Sequence, residues 1–108
     1  MIVPDERVEK ALGKLAKTDE LAAEFHMKVE RAEFKAKAIK DAIFLREEGS
    51  VAERQAKAGI SDEYKTAMDD YFEALKAYEI IRNERNREIL IIDVWRSCSS
   101  ARTKGIVT

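Results

Sequence analysis

Residues 19–48, DELAAEFHMKVERAEFKAKAIKDAIFLREE, decide the fold. Within them Leu21, Phe25, Val29, Ala32, Ala36, Ile39 and Ile43 recur in steps of 4, 4, 3, 4, 3 and 4. That spacing stacks apolar side chains along one side of an α-helix, in the kind of stripe that seams one helix to another. No Pro or Gly interrupts the run, and Gly49 follows it as a C-terminal stop. A helix over 19–48 is about 45 Å long at 1.5 Å per residue.

The segments on either side are helical too. Ser50 with Glu53 matches a capping box and opens a short connector helix over 51–58, which Gly59 closes. Ser61 caps a last helix over 62–100, with Asp62 and Glu63 set against its positive end. There Tyr64, Met68, Tyr71, Leu75 and Tyr78 step by 4, 3, 4 and 3, and the stripe resumes at Ile89, Ile92 and Trp95. Upstream, Pro4 precedes a first helix over 5–17 that carries Val8, Leu12 and Leu15 on one face. Thr18-Asp19 reads as an N-cap pair at which the second helix restarts. Residues 101–108, rich in Ser and Thr through their approach and containing Gly105, form a tail that frays. The expectation is a single all-α domain over 1–108: a long antiparallel helical hairpin with a short N-terminal helix and a short connector helix.

Composition agrees. Of 108 residues 38% are charged and 45% hydrophobic, with one Pro and four Gly, and Ala, Glu, Lys, Leu and Arg dominate as they do in long helices. Twenty basic and 21 acidic residues leave a net charge of −1, so no overall field draws in a polyanion. Cys98 is the only cysteine, which excludes an intrachain disulfide and fits a reducing cytoplasm. The first ten residues have no apolar core of a signal peptide, and the longest apolar run, Ile89-Leu90-Ile91-Ile92, stops at Asp93, far short of a membrane span.

Two helices paired alone bury only one stripe each. Phe34, Phe44, Leu45, Phe72, Ile80, Leu90 and Ile91 fall off the stripes. Some of them would face the first helix, and the rest call for another chain, most simply a second copy, with Ile89, Ile92 and Trp95 as the oligomer interface. The alternative is a monomeric bundle. Charge is also uneven: residues 28–46 hold six basic and three acidic side chains, and residues 62–79 six acidic and two basic. An antiparallel hairpin lays these alongside one another, where flanking pairs set the register.

No constellation for catalysis, cofactor or metal is expected. His26 is the only histidine, and its neighbours Glu30 and Glu33 are ordinary on a charged helix. Cys98 has no redox partner, and the chain has no glycine-rich phosphate loop. Asp69 and Asp70 are adjacent and diverge by about 100° on a helix. The informative polar stretch is Arg82-Asn83-Glu84-Arg85-Asn86-Arg87-Glu88, which breaks the apolar stripe of the last helix. Arg82 and Arg85 continue the positions of Tyr78 and Ile89 towards the seam. They predict a buried or half-buried ion-pair layer that fixes register or oligomer state. The other reading is a polyanion contact through Arg82, Arg85, Arg87, Arg96, Arg102 and Lys104, with Trp95 available to stack on a base.

Three stretches, taken in order, carry a resemblance: 6–12 (ERVEKAL), 44–54 (FLREEGSVAER) and 88–97 (EILIIDVWRS). Together they resemble a family of small helical proteins of tailed bacteriophages and prophages, encoded near single-strand annealing and recombination genes. The resemblance implies a non-enzymatic accessory role in phage DNA recombination or replication, in the host bacterial cytoplasm. The implied partners are a phage annealing protein, a single-strand binding protein, or single-stranded DNA held weakly. The competing expectation is a phage-encoded inhibitor of a host nuclease or defence complex, with the acidic residues of 62–79 as its occluding face.

Overall fold

The computed structural model describes residues 2–103, with side chains as far as Ala101. Three helices follow one another: α1 over Asp5–Arg46, α2 over Val51–Ile60 and α3 over Asp62–Thr103. No strand occurs among the described residues, and no helix of theirs is long and apolar enough to cross a membrane. The all-helical class and the short connector helix are as the sequence predicts.

The separate N-terminal helix is not found. α1 runs unbroken through Thr18 and Asp19. Thr18 does not cap a new helix; its hydroxyl donates back to the Lys14 carbonyl at 2.7 Å, the local bond a threonine makes inside a helix. Gly13 is accommodated because it faces open space. With this continuity the stripe of α1 is longer and more regular than the sequence suggests. From Val8 through Ala11, Leu15, Thr18, Ala22 and Phe25 to Ile43, a buried or half-buried residue recurs at alternating steps of three and four. α3 answers with the same alternation from Tyr64 through Ile81, Arg85 and Glu88 to Ser99. A 3.5-residue repeat keeps a seam facing its partner. Leu12 and Leu21, expected on the stripe, lie exposed one position away from Ala11 and Ala22.

The chain forms two compact units, Met1–Ala23 with Ile80–Thr108, and Glu24–Glu79. In each, contacts move down α3 as they move up α1, so the pairing is antiparallel. In the first unit Asp5 meets Trp95 and Arg7 meets Glu88, around buried Val3, Val8, Ala11 and Ile81. In the second, His26 stacks on Tyr78 with centroids 5.1 Å apart, Lys40 lies over the Tyr64 ring, and Arg46 pairs with Glu63 at 3.0 Å. Its core is Val29, Ala36, Ile43, Ala58 and Ala67. Arg46–Glu63 realises the charge pairing expected between the basic and acidic stretches.

The connector shows how helix ends are satisfied. α1 stops at Arg46, two residues before the expected boundary, and Gly49 turns the chain at φ 117°. α2 then caps the end of α1: Arg54 Nε donates to the Phe44 carbonyl and Lys57 Nζ to the Glu48 carbonyl, both at 3.0 Å. The Phe44 carbonyl is one that a helix terminus leaves without a partner, and the Glu48 carbonyl belongs to the turn that follows it. The Arg54 guanidinium also covers the Phe44 ring at 4.3 Å. Ser50 accepts from the Glu53 amide at 3.1 Å, the expected N-cap. Gly59 does not end α2, since its φ is not positive; Ser61 does, donating its hydroxyl to the Ala58 carbonyl at 2.9 Å while accepting from the Tyr64 amide at 3.2 Å. The tail expected from residue 101 starts inside α3, which continues to Thr103; the remainder of that expectation lies outside the described residues.

Among the described residues, Gly49 is the one position where backbone conformation demands glycine. A Cβ there would also meet Glu53 Oε2 at 2.7 Å. The carboxylate can swing aside, so the lasting cost is backbone strain, about 1–2 kcal/mol. Gly49→Ala is expected to lower the midpoint of thermal unfolding by about 5–10 °C, read by circular dichroism at 222 nm. An unchanged midpoint would show that the turn tolerates an L side chain.

Candidate functional site

The polar stretch of α3 forms a layer inside the first unit. Glu88 is 8% exposed, yet it occupies a seam position. Two cations from α1 meet it. Arg7 Nη2 donates to Glu88 Oε1 at 3.0 Å and lies 2.8 Å from Oε2, and Lys14 Nζ donates to Oε1 at 3.3 Å. Oε2 pairs with Arg7 by charge alone, without an aligned hydrogen bond, and Arg7 Nη1 is buried without an acceptor among the described residues. Burial pushes the Glu88 carboxyl up. The hydrogen bonds from Arg7 and Lys14 and their positive charges together outweigh it, and the group is held below the usual carboxylate range.

One turn earlier, Arg85 reaches the other way into α1. Its Nη1 donates to the Leu15 carbonyl at 2.8 Å and to Thr18 Oγ1 at 2.7 Å, and its Nη2 lies 3.4 Å from Asp19 Oδ1. Thr18 thus gives its proton to Lys14 and takes one from Arg85. Between the two clusters lies a cavity of about 360 Å³ lined by Lys14, Thr18, Glu84, Arg85, Arg87 and Glu88 among others. A buried charge is costly without its partners. Sliding α3 by one turn against α1 in this unit would bury Glu88 away from Arg7 and Lys14, so the layer fixes the register.

The ion-pair layer is therefore present, with a different membership from that read in the sequence. Arg85 turns inward as expected. The seam position beside it belongs to Ile81 rather than Arg82, and the next to Glu88 rather than Ile89. Glu88 belongs to the polar stretch that the sequence marks out, but its partners Arg7 and Lys14 do not; their signal is present only as charges far away in the chain. Arg82, Arg87 and Arg96 are exposed. Arg82 and Arg96 share a side of α3, whereas Arg87 lies about 180° from Arg96, so these three do not gather into one patch. The Arg102 side chain and Lys104 lie outside the described residues. Of the expected oligomer interface, Ile92 and Trp95 are half-buried in the unit's own seam, with Trp95 Nε1 donating to Asp5 Oδ1 at 2.8 Å, and Ile89 is exposed.

The second unit carries a larger concavity, about 740 Å³, where α2 meets α1 and α3. Phe44, Tyr64, Met68 and Tyr71 give it an apolar lining, with Glu33, Lys37, Lys40 and Asp41 adding both signs of charge. His26 stands elsewhere in the unit, stacked on Tyr78 and 3.4 Å from Glu30. No group of three or more His, Cys, Asp or Glu able to hold a metal ion occurs among the described residues.

Comparison with protein-family models, with curated proteins and with solved structures finds no match. Phe34 is 76% and Leu45 75% exposed, and Phe72, Ile80 and Leu90 are exposed as well. These five belong to the residues that fall off the expected stripes. The other two, Phe44 and Ile91, are half-buried, Phe44 beneath Arg54.

Proposed function

We propose that this chain is a non-enzymatic helical adaptor of phage DNA recombination or replication, which holds recombination proteins on the outer faces of its helices. The observation that carries this reading is the set of large apolar side chains left outside seams that are already closed. Phe34, Leu45, Phe72, Ile80 and Leu90 each stay more than half exposed outside the seams, and exposed apolar faces on helices suit partner surfaces. The concavity beside α2 adds an aromatic pocket ringed by charges of both signs, the arrangement that receives a partner's anchoring side chain. The phage setting, the host cytoplasm and the partner class rest on the resemblance of residues 6–12, 44–54 and 88–97. Single-stranded DNA is the weaker partner in this reading, because Arg85 is spent inside the fold and the exposed arginines diverge.

The full chain, immobilised, is expected to retain a phage single-strand annealing protein or a single-strand binding protein near physiological salt. A salt-titrated binding assay with single-stranded DNA separates direct from protein-mediated contact. Retention of none of the three overturns the proposal. Asp69, Asp70 and Glu73 are exposed rather than folded into the hairpin, which favours the occlusion of a host nuclease as a second reading. Inhibition of nuclease activity without binding to any recombination component would select it.

A further inference from the structure

The outer face of α1 in the second unit carries a second stripe. Met27, Arg31, Phe34, Ala38, Asp41 and Leu45 follow one another in steps of 4, 3, 4, 3 and 4, and all six are exposed. Met27, Phe34 and Leu45 each stand two residues from a buried residue of the seam (Val29, Ala36 and Ile43), about 160° round the helix. The stripe therefore faces away from α3, and α2 leaves Leu45 uncovered. Arg31 and Asp41 make no hydrogen bond or ion pair with other described residues; Asp41 also borders the concavity beside α2.

We infer that this face binds the same face of a second copy, α1 against α1 in antiparallel register about a two-fold axis at the level of Ala36. In that register Met27 meets the partner's Leu45, Arg31 meets the partner's Asp41, and Phe34 meets the partner's Ala38. Every contact occurs twice, as an isologous interface requires. Each is complementary: apolar with apolar, cation with anion, large ring with small methyl. The alternating steps of three and four make these pairs the facing layers of an antiparallel helix pair.

Other registers fail on the same residues. A parallel pair would set Arg31 against the partner's Arg31 and Asp41 against the partner's Asp41, repulsion at both charged layers. Sliding the antiparallel pair by one heptad in one direction keeps an apolar layer of Phe34 on Leu45 but leaves Met27 and Arg31 outside the overlap and sets Asp41 on Ala38, with no cation opposite it. Sliding it the other way sets Leu45 on Glu20, Arg31 on Phe34 and Asp41 against Glu24. In the favoured register the next layer outward would face Glu24 with the partner's Glu48, beyond the end of α1 at Arg46, and this bounds the seam. The paired length is about 27 Å. One helix pair of that length falls below the ~1,200 Å² of a standard interface, which suits weak self-association with a dissociation constant on the order of 100 µM. The interface goes beyond the adaptor reading and does not depend on it: it takes Phe34 and Leu45 and leaves Phe72, Ile80 and Leu90 to recombination proteins, and a chain that retains none of them still dimerises.

Sedimentation equilibrium of the full chain, from about 1 µM to 1 mM, tests it. The mass is expected to rise from 12.3 kDa to twice that value. Phe34→Glu, at a site 76% exposed and so without cost to the fold, is expected to weaken the dimer at least about tenfold. Asp41→Arg alone sets cation against cation and weakens it about tenfold, and adding Arg31→Asp to the same chain restores it to within about threefold. Circular dichroism confirms unchanged helix content in each variant. A chain that stays at 12.3 kDa throughout, a dimer indifferent to Phe34→Glu, or a charge swap that fails to rescue overturns the inference.

Discussion

An Ile43→Ala chain is expected to melt about 10–20 °C below the unsubstituted protein. Among the described residues Ile43 is the one large side chain that is almost wholly buried, at 2% exposure, and it sits on the seam of the second unit one turn before α1 ends. Truncation removes three carbons and leaves a void walled by side chains held on continuous helices, which cannot fully close. Such losses cost about 2–5 kcal/mol. A thin seam has few other large residues to absorb that loss: its remaining buried members are Val29, Ala36, Ala58 and Ala67. Leu45→Ala provides the internal comparison. Leu45 is 75% exposed on the opposite face, so its loss is expected to change stability by no more than about 0.5 kcal/mol. Both variants are best compared by thermal unfolding at low micromolar concentration, where the dimer inferred through Leu45 is not populated. Equal losses for the two would mean that the seam does not run through Ile43.

The stripe from Phe25 to Ile43 was readable because apolar residues fill it and polar ones surround it, so periodicity alone finds the buried face. It failed where the seam itself turns polar or small. Thr18 and Asp19 carry the chemistry of a helix N-cap, and local pattern cannot tell a cap from a threonine that back-bonds to Lys14 and receives Arg85 from a residue 67 positions away. Ala11 and Ala22, small enough to bring helices close, hide the seam beside the larger Leu12 and Leu21, which lie outside it. At Ile89-Leu90-Ile91-Ile92 four apolar residues occupy every side of the helix, so hydropathy offers no phase. The phase is set by Glu88, whose burial is legible only once Arg7 and Lys14 are known to stand opposite. Likewise the break in apolar character at Arg82 to Glu88 was visible in the sequence as a departure from pattern. Its contents, one arginine and one glutamate turned inward while other arginines point out, follow from the helix phase and not from composition. The outer stripe of α1 was visible only as scattered off-pattern residues, Phe34 and Leu45, until the burial of Val29, Ala36 and Ile43 gave it a direction.

Removing the Glu88 carboxylate is expected to have the other large effect. In Glu88→Ala, Arg7 and Lys14 remain close together without the anion that joins them, and Arg7 already has one guanidinium nitrogen buried without an acceptor. Lys14 is half-exposed and can turn to water; Arg7 is more enclosed and cannot do so as freely. A fall of about 5–10 °C in the thermal midpoint at neutral pH is expected. Glu88→Gln keeps the shape and removes the charge, and it isolates the pH dependence. The folded-state pKa of Glu88 lies below the ordinary value of about 4.3. The carboxylate's contribution is therefore complete above the ordinary value and disappears as pH falls through the lower, folded-state value. The difference in thermal midpoint between the unsubstituted chain and Glu88→Gln should accordingly be constant through neutral pH, narrow as the solution is acidified below about 4.3 and vanish once Glu88 is protonated in both states. The subtraction removes the other 20 acidic side chains, which titrate alike in the two proteins. A difference that persists unchanged in strong acid would show that the glutamine acts through packing, and that the charge of Glu88 is not what holds α1 and α3 in register in this unit.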